Sequence, residues 1–246
     1  MRVAIMQPYF FPYIGYWQLF FNCDQWVFFD SVQYNRKSWM NRNRILHPDS
    51  SKEYQYINVP IRKQAKGALI KDTVINNDED WPQKLLGQLT VYKKLRAPYY
   101  DDVIDLVGDI IDRKHERFVL LVSYSANKIS EYLGRSVTCK LSSELNFDKS
   151  IIKEADDWAL VISEVLGANE YINPPGGVEI FNVEKYQKRA IDIMFLKSNL
   201  SEYRQSHRKF VSGLSIIDVL MFNSKEAVAE MLENDFTLLT KQELQL

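Results

Sequence analysis

Cysteine and histidine are scarce in this 246-residue chain, with two of the first and three of the second. Cys23 and Cys139 stand beside apolar residues without paired spacing, which reads as small buried thiols in a reducing compartment rather than a disulfide or a metal site. His47, His115 and His207 are far apart, and none pairs with a second His or Cys at ligand spacing, so no metal site is expected. Neither sign of charge dominates. A formal net charge of −1 gives no electrostatic reason for general binding to DNA, RNA or anionic lipid, and leaves room only for a local basic patch. No apolar run approaches the roughly 18 residues that a membrane span needs. The opening Met-Arg-Val-Ala-Ile-Met-Gln-Pro is too short an apolar run, broken by Pro8, to serve as a signal peptide. Repeats and low-complexity tracts are also lacking, and a cytoplasmic protein is expected.

What is present is ordinary for a globular chain: 46% hydrophobic and 26% charged residues, enough for one large domain or one domain with a helical subdomain. Aromatics reach 13% and crowd the first fifty residues. Most must be core, but those lying among Gln, Asn and Arg would suit stacking on a sugar or a base.

Hydrophobic patterning predicts a strand at Val3–Met6 stopped by Gln7-Pro8, a helix over Tyr13–Asn22, and a second buried strand at Trp26–Phe29 ended by Asp30. Strand, helix and strand within thirty residues make a βαβ unit and hence a parallel sheet. Ligands of such sheets bind at the carboxyl ends of the strands, which here are Gln7-Pro8 and Asp30-Ser31. The 33–44 segment reads as a loop or short strand over that crevice, Tyr54–Ile61 as a strand and Ala68–Ile75 as its partner. Residues 81–134 read as a helical insertion or lid, with Asp80 as N-cap, Pro82 in the first turn, a break at Pro98 and a stop at Gly134. A helix is expected over Lys149–Leu166, strands at Glu170–Ile172 and Ile191–Leu196, and closing helices at Gly213–Phe222 and Lys225–Glu233, the last capped by Ser224.

Three segments carry candidate chemistry. In Gln7-Pro-Tyr-Phe-Phe-Pro-Tyr-Ile-Gly-Tyr16 two prolines stiffen a strand-to-helix joint, Gly15 would let a ligand approach the backbone, and the helix N-terminus offers free N–H groups to an anion. Packing of the first turn explains Pro and aromatics there equally well. Between Asp30 and Arg44 one carboxylate is followed by four cations, Arg36, Lys37, Arg42 and Arg44, among Gln33, Tyr34, Trp39, Asn41 and Asn43. Guanidinium forks suit phosphate oxygens, and Asn and Gln suit sugar hydroxyls. A solvated basic loop is the competing reading, weakened by the interleaved aromatics. Asn173-Pro-Pro-Gly-Gly177 could line a ligand with backbone N–H groups or be a plain turn.

Together with Leu214-Ser-Ile-Ile-Asp-Val-Leu220, a core helix with Ser215 and Asp218 as its polar oddities, these stretches resemble the WbqC-like protein family from end to end, as one WbqC-like domain over 1–246. The resemblance implies a place in bacterial O-antigen (lipopolysaccharide) and surface-polysaccharide synthesis and, for some members, glycine transfer onto an amino sugar. A more distant resemblance is to nucleotidyltransferases and pantothenate-synthetase-like ligases, whose His-x-Gly-His loop is here Tyr13-Ile-Gly-Tyr16. It implies a Rossmann-like, nucleotidyltransferase-like α/β core. The missing imidazoles argue against the adenylyl-transfer chemistry itself.

The leading expectation is an aminoacyl (glycine) transferase acting on a nucleotide-linked amino sugar. Asp30 is the first choice of base and His207 a weaker one. The substrate would be held by Gln7, Tyr9, Tyr13, Gly15 and Tyr16, by Gln33, Arg36, Trp39, Asn41, Arg42 and Asn43, and by Asn173, Gly176 and Gly177. The activated glycine donor stays open: glycine with ATP and Mg²⁺, or glycyl-tRNA, which the near-zero net charge makes less attractive. The alternatives are a glycosyl- or nucleotidyl-transferase of the same pathway and a non-catalytic nucleotide-sugar-binding protein.

Overall fold

The computed structural model describes residues 1–245. Strand β1 (Arg2–Met6) is joined by helix α1 (Ile14–Phe21) to β2 (Gln25–Phe28), and the two strands pair in parallel with Val3 opposite Gln25 and Met6 opposite Phe28. A hairpin of β3 (Arg42–Leu46) and β4 (Tyr54–Asn58) follows, then helices α2 (Trp81–Lys94), α3 (Tyr100–Asp112) and α4 (Phe118–Tyr132). The chain returns to the sheet with β5 (Thr138–Leu141), α5 (Asp157–Val165), β6 (Glu170–Asn173), α6 (Val183–Gln187) and β7 (Asp192–Ser198). It closes with α7 (Ile216–Phe222), α8 (Lys225–Asn234), β8 (Phe236–Leu239) and α9 (Lys241–Leu244).

The sheet order is β5-β2-β1-β6-β7-β8, parallel except for β8, which runs antiparallel to β7. Both faces are covered. Ala4, Trp26 and Phe28 pack with α1, α7 and the α2–α4 segment, while Val3, Ile5 and Val27 pack on the other side with α5 and α6 residues such as Ile162 and Tyr186. Two covered faces explain why the first strands read as unbroken apolar runs rather than alternating ones.

This topology moves the crevice. The chain grows from β1 outward through β2 and β5, then restarts on the other side of β1 with β6. The order therefore reverses between β1 and β6, and a groove opens at their carboxyl ends rather than between β1 and β2.

Several expected elements shift. Residues 68–75 do not partner β4; β3 does, and 68–75 form a short 3₁₀ turn with single bridges Gln33–Leu69 and Ile61–Ile75. The 149–166 helix begins only at Asp157. Its first turn is pre-empted by Asp148, whose carboxylate takes the Ser150 N–H and Oγ, and by Asp157, whose Oδ2 takes the N–H groups of Lys153 and Glu154. Asp80 stands at the α2 N-cap without a side-chain cap bond, whereas Ser224 caps α8 through the Ala227 N–H. No helix among the described residues is long and apolar enough to cross a membrane.

Candidate functional site

The joint between β1 and α1 is a pinned loop. Phe10 N–H donates to Met40 O at 2.8 Å, and the Asn43 amide donates to Phe10 O and Phe11 O at 3.3 and 2.8 Å. Ser215 Oγ donates to Phe11 O at 2.8 Å, and Pro12 O accepts from Ile216 N and Trp17 Nε1. Phe11 sits at φ +41°, strained for a non-glycine residue, and these bonds to its carbonyl hold it there. The Tyr16 hydroxyl donates to Gln7 O at 3.0 Å, fixing the residue that follows β1. Gly15 serves Tyr13: a Cβ there would lie 2.5 Å from the Tyr13 ring, which covers the first turn of α1.

Above this loop three cavities meet. An aromatic lobe of about 500 Å³ is lined by Met6, Tyr9, Tyr13, Tyr16, Trp39, Asn43, Arg44 and Gly213. A basic lobe of about 830 Å³ is lined by Gln7, Gln33, Asn35, Arg36, Lys37, Gln64 and Lys66. A more apolar lobe of about 410 Å³ is lined by Ile5, Phe29, Trp158, Phe181, Asn173, Gly176 and Gly177. Gln7 belongs to the basic and apolar lobes, and Met6, Tyr9 and Pro174 to the apolar and aromatic ones, so the three converge on the end of β1.

No Asp, Glu or His lines any lobe among the described residues. Arg36 donates only to Gln64 O, and Lys37 and Lys66 have no ion-pair partner among the described residues. Burial raises the pKa of the Tyr9 and Tyr13 hydroxyls, which therefore enter the crevice as proton-bearing donors. On the glycine-rich wall the Asn173 amide donates to Pro174 O and its oxygen accepts from Tyr171. Gly177 leaves room for it, since a Cβ there would stand 2.8 Å from Asn173 Nδ2.

Of the residues expected at the site, Gln7, Tyr9, Tyr13, Tyr16, Gln33, Arg36, Trp39, Asn43, Asn173, Gly176 and Gly177 line the joined lobes. Asn43 and Tyr16 lie there as clamps of the loop. Asn41 and Arg42 do not line it: the Asn41 amide donates to Val59 O, and Arg42 stacks on Trp39 and Tyr56. Asp30 is fully buried. Its carboxylate accepts from Ser142 Oγ, Ser143 N and Ser143 Oγ at 3.0, 2.8 and 2.7 Å, binding β2 to the end of β5. A carboxylate so enclosed is a brace and cannot reach a substrate amine. His207 is exposed in a separate cavity with Lys94, Arg96, Arg204 and Arg208 that shares no lining residue with the crevice. The base assignments to Asp30 and His207 are therefore not carried forward.

Other residues at the site or beneath it come from sequence-distant segments. Lys66 sits on a turn with no local signature, and Trp158 comes from α5. Asp218 is buried and accepts from Tyr92, Tyr203 and Gln205 at 2.7, 2.5 and 2.7 Å, tying α7 to α2 and to the 203–205 segment. Burial pushes its pKa up to about 6 against the pull of those three donors. Glu154, Asp156 and Asp157 cluster at metal-ligand spacing, but Lys185 Nζ bonds to all three and supplies the counter-charge.

The WbqC-like protein family model matches residues 7–230, and the chain belongs to that family. It is similar to a protein of Mycobacterium tuberculosis (strain ATCC 25618 / H37Rv) named Uncharacterized protein Rv1507c, with 26% identity over 231 residues that cover 92% of this chain and 95% of the relative. No solved structure matches the chain.

Proposed function

From that membership we propose that the three-lobed crevice binds a nucleotide-linked amino sugar and transfers an acyl group, glycyl or another aminoacyl, to its amine, in bacterial O-antigen or surface-polysaccharide synthesis. One observation carries the reading: a phosphate-suited lobe with Arg36, Lys37 and Lys66 and an aromatic lobe with Tyr9, Tyr13 and Trp39 both adjoin the apolar lobe at the end of β1, the first through Gln7 and the second through Met6 and Tyr9, with no carboxylate among the described lining residues. The diphosphate would lie in the first and the base or sugar ring on the second. The strand order supports the same place, by analogy with Rossmann-like sheets that bind nucleotides where their order reverses.

The chemistry follows from the charge. The attacking amine must be unprotonated, and nearby cations disfavour its ammonium form, so the basic lobe lowers the substrate's own pKa without a carboxylate base. Attack forms the C–N bond and places negative charge on the carbonyl oxygen. Arg44 and the hydroxyls of Tyr9 and Tyr13 are the donors placed to receive it. Collapse breaks the bond to the leaving group, and the proton released by the nitrogen passes to that group or to water.

A glycosyl- or nucleotidyl-transferase would want a carboxylate pair for a metal beside the phosphates, and the described residues of the crevice supply none, so this alternative is less well supported. A non-catalytic nucleotide-sugar-binding protein is favoured by the same lack of a titratable base. Purified protein given a nucleotide-linked amino sugar and labelled glycine, supplied either with ATP and Mg²⁺ or as glycyl-tRNA, separates the readings. Label on the sugar amine is expected. Tight sugar binding without label from either donor would leave only the binding protein.

A further inference from the structure

The outer face of the β3–β4 hairpin carries a ladder of which only Trp39 and Arg44 line the crevice. Tyr54, Arg44, Trp39, Arg42 and Tyr56 alternate ring and guanidinium: Arg44 lies 4.8 Å from the Tyr54 ring centre and 5.3 Å from that of Trp39, and Arg42 lies 5.2 Å from Trp39 and 5.3 Å from Tyr56. The register explains the alternation, since Arg44 pairs with Tyr56 and Leu46 with Tyr54, placing these side chains on one face. Trp39 and Tyr56 are each 43% exposed. The Nε atoms of Arg42 and Arg44 are buried without a partner, and the Arg42 guanidinium has no hydrogen-bond acceptor among the described residues. Residues 31–71 hold nine Lys or Arg against two acidic residues, in a chain whose net charge is −1. Of those nine, only Arg62 is ion-paired, with Asp78, among the described residues.

Exposed cation–π pairs often serve only the surface they cover. Two guanidiniums flanking one indole also repel each other, and no carboxylate among the described residues pairs with them. That arrangement is relieved by a polyanion whose bases stack on the rings. The basic lobe already suffices for one diphosphate, so the ladder is an additional platform. It is continuous with the crevice, because Trp39 and Arg44 line the aromatic lobe.

The geometry points to this ladder as the binding platform for the single-stranded 3′ end of an RNA that carries an aminoacyl ester. This names the acyl donor and rests on the acyl-transfer reading. Bases stack on Tyr54 and Tyr56, phosphates lie against Arg42, and the esterified end enters the aromatic lobe past Trp39 and Arg44. The sugar amine then attacks the ester carbonyl. A C–N bond forms, the ester C–O bond breaks, and the terminal ribose oxygen leaves and takes up a proton. The ester is already activated, so no nucleotide is cleaved, which fits a crevice whose described residues include no carboxylate to hold Mg²⁺.

The test is fluorescence anisotropy with a labelled single-stranded RNA of about 12 nucleotides ending in CCA, beside a titration of the nucleotide-linked amino sugar. Wild-type protein is expected to bind the RNA, more weakly as salt rises. Tyr56→Ala should weaken binding about 10-fold by removing a stacking ring. Arg42→Ala should weaken it too and reduce the slope of log affinity against log salt by about one. Tyr56 is exposed and Arg42 half-buried, and thermal melting verifies that the variants fold. RNA affinity unchanged in both variants overturns the inference. Sugar binding without RNA binding also overturns it while leaving the proposed function standing, whereas failure to bind the sugar removes the function reading itself.

Discussion

The floor of the crevice and the outer face of the hairpin are both rich in polar and aromatic side chains, yet they differ in what those groups are bonded to. On the floor nearly every polar atom is engaged within the chain: Asn43 and Ser215 hold Phe11 O, Tyr16 holds Gln7 O, and Asn173 is closed by Tyr171 and Pro174. Asp30, just beyond it, is closed by Ser142 and Ser143. On the hairpin, Arg42 finds only rings and Arg44 donates to one carbonyl, Gly213 O. Buried polar groups that are satisfied internally shape a site, and the guanidiniums left unsatisfied at its edge are the groups proposed to take a ligand.

Breaking the floor should have the largest effect. Asp30→Ala strands both donors of Ser143 and leaves Ser142 Oγ with Ser31 as its side-chain partner, and should cost roughly 3 kcal/mol in urea unfolding. Asp30→Asn keeps the shape and two acceptor contacts and should fold nearly as well, with transfer activity within a few-fold of wild type. A loss of about 100-fold or more in a folded Asp30→Asn protein would return Asp30 to the role of base.

The next effect is one of pH. Asp218 titrates near 3.8 when unfolded and about 6 when folded, so the folded state holds the proton more tightly. Its contribution to stability is present below about pH 4 and falls by roughly 3 kcal/mol as pH rises to about 6. The stability difference between wild type and Asp218→Asn should therefore change across that window in urea titrations. Parallel curves would mean that Asp218 is not the group titrating.

The parts legible in the sequence were those fixed by local pattern. The β1–α1–β2 unit shows because both strands are apolar on two covered faces, and the Pro-aromatic loop shows because its stiffness is written in Pro8 and Pro12. Strand β5 was missed: Thr-Cys-Lys-Leu is short, half-exposed and polar at alternate positions. The location of the groove depended on which side of β1 the returning strand β6 takes, a non-local choice that no window of residues records. Within the basic segment, nothing separates Asn43 and Asn41, which bond to backbone carbonyls, from Arg42, which bonds to none, until the partners are in place. Lys66 joined the site only through the fold. Asp30 is the opposite case: a carboxylate at a strand end has the pattern of a catalytic group, and the serines that enclose it lie over a hundred residues away.

The central claim is that the end of β1 is where a nucleotide-linked amino sugar binds, and calorimetric titration of such a sugar tests it most directly. Wild-type protein should bind it, the double variant Arg36→Ala/Lys66→Ala should bind about 10-fold or more weakly through lost charge-assisted contacts to phosphate, and His207→Ala should match wild type. Absence of binding to wild-type protein, or binding lost in His207→Ala and retained in the double variant, would contradict the account.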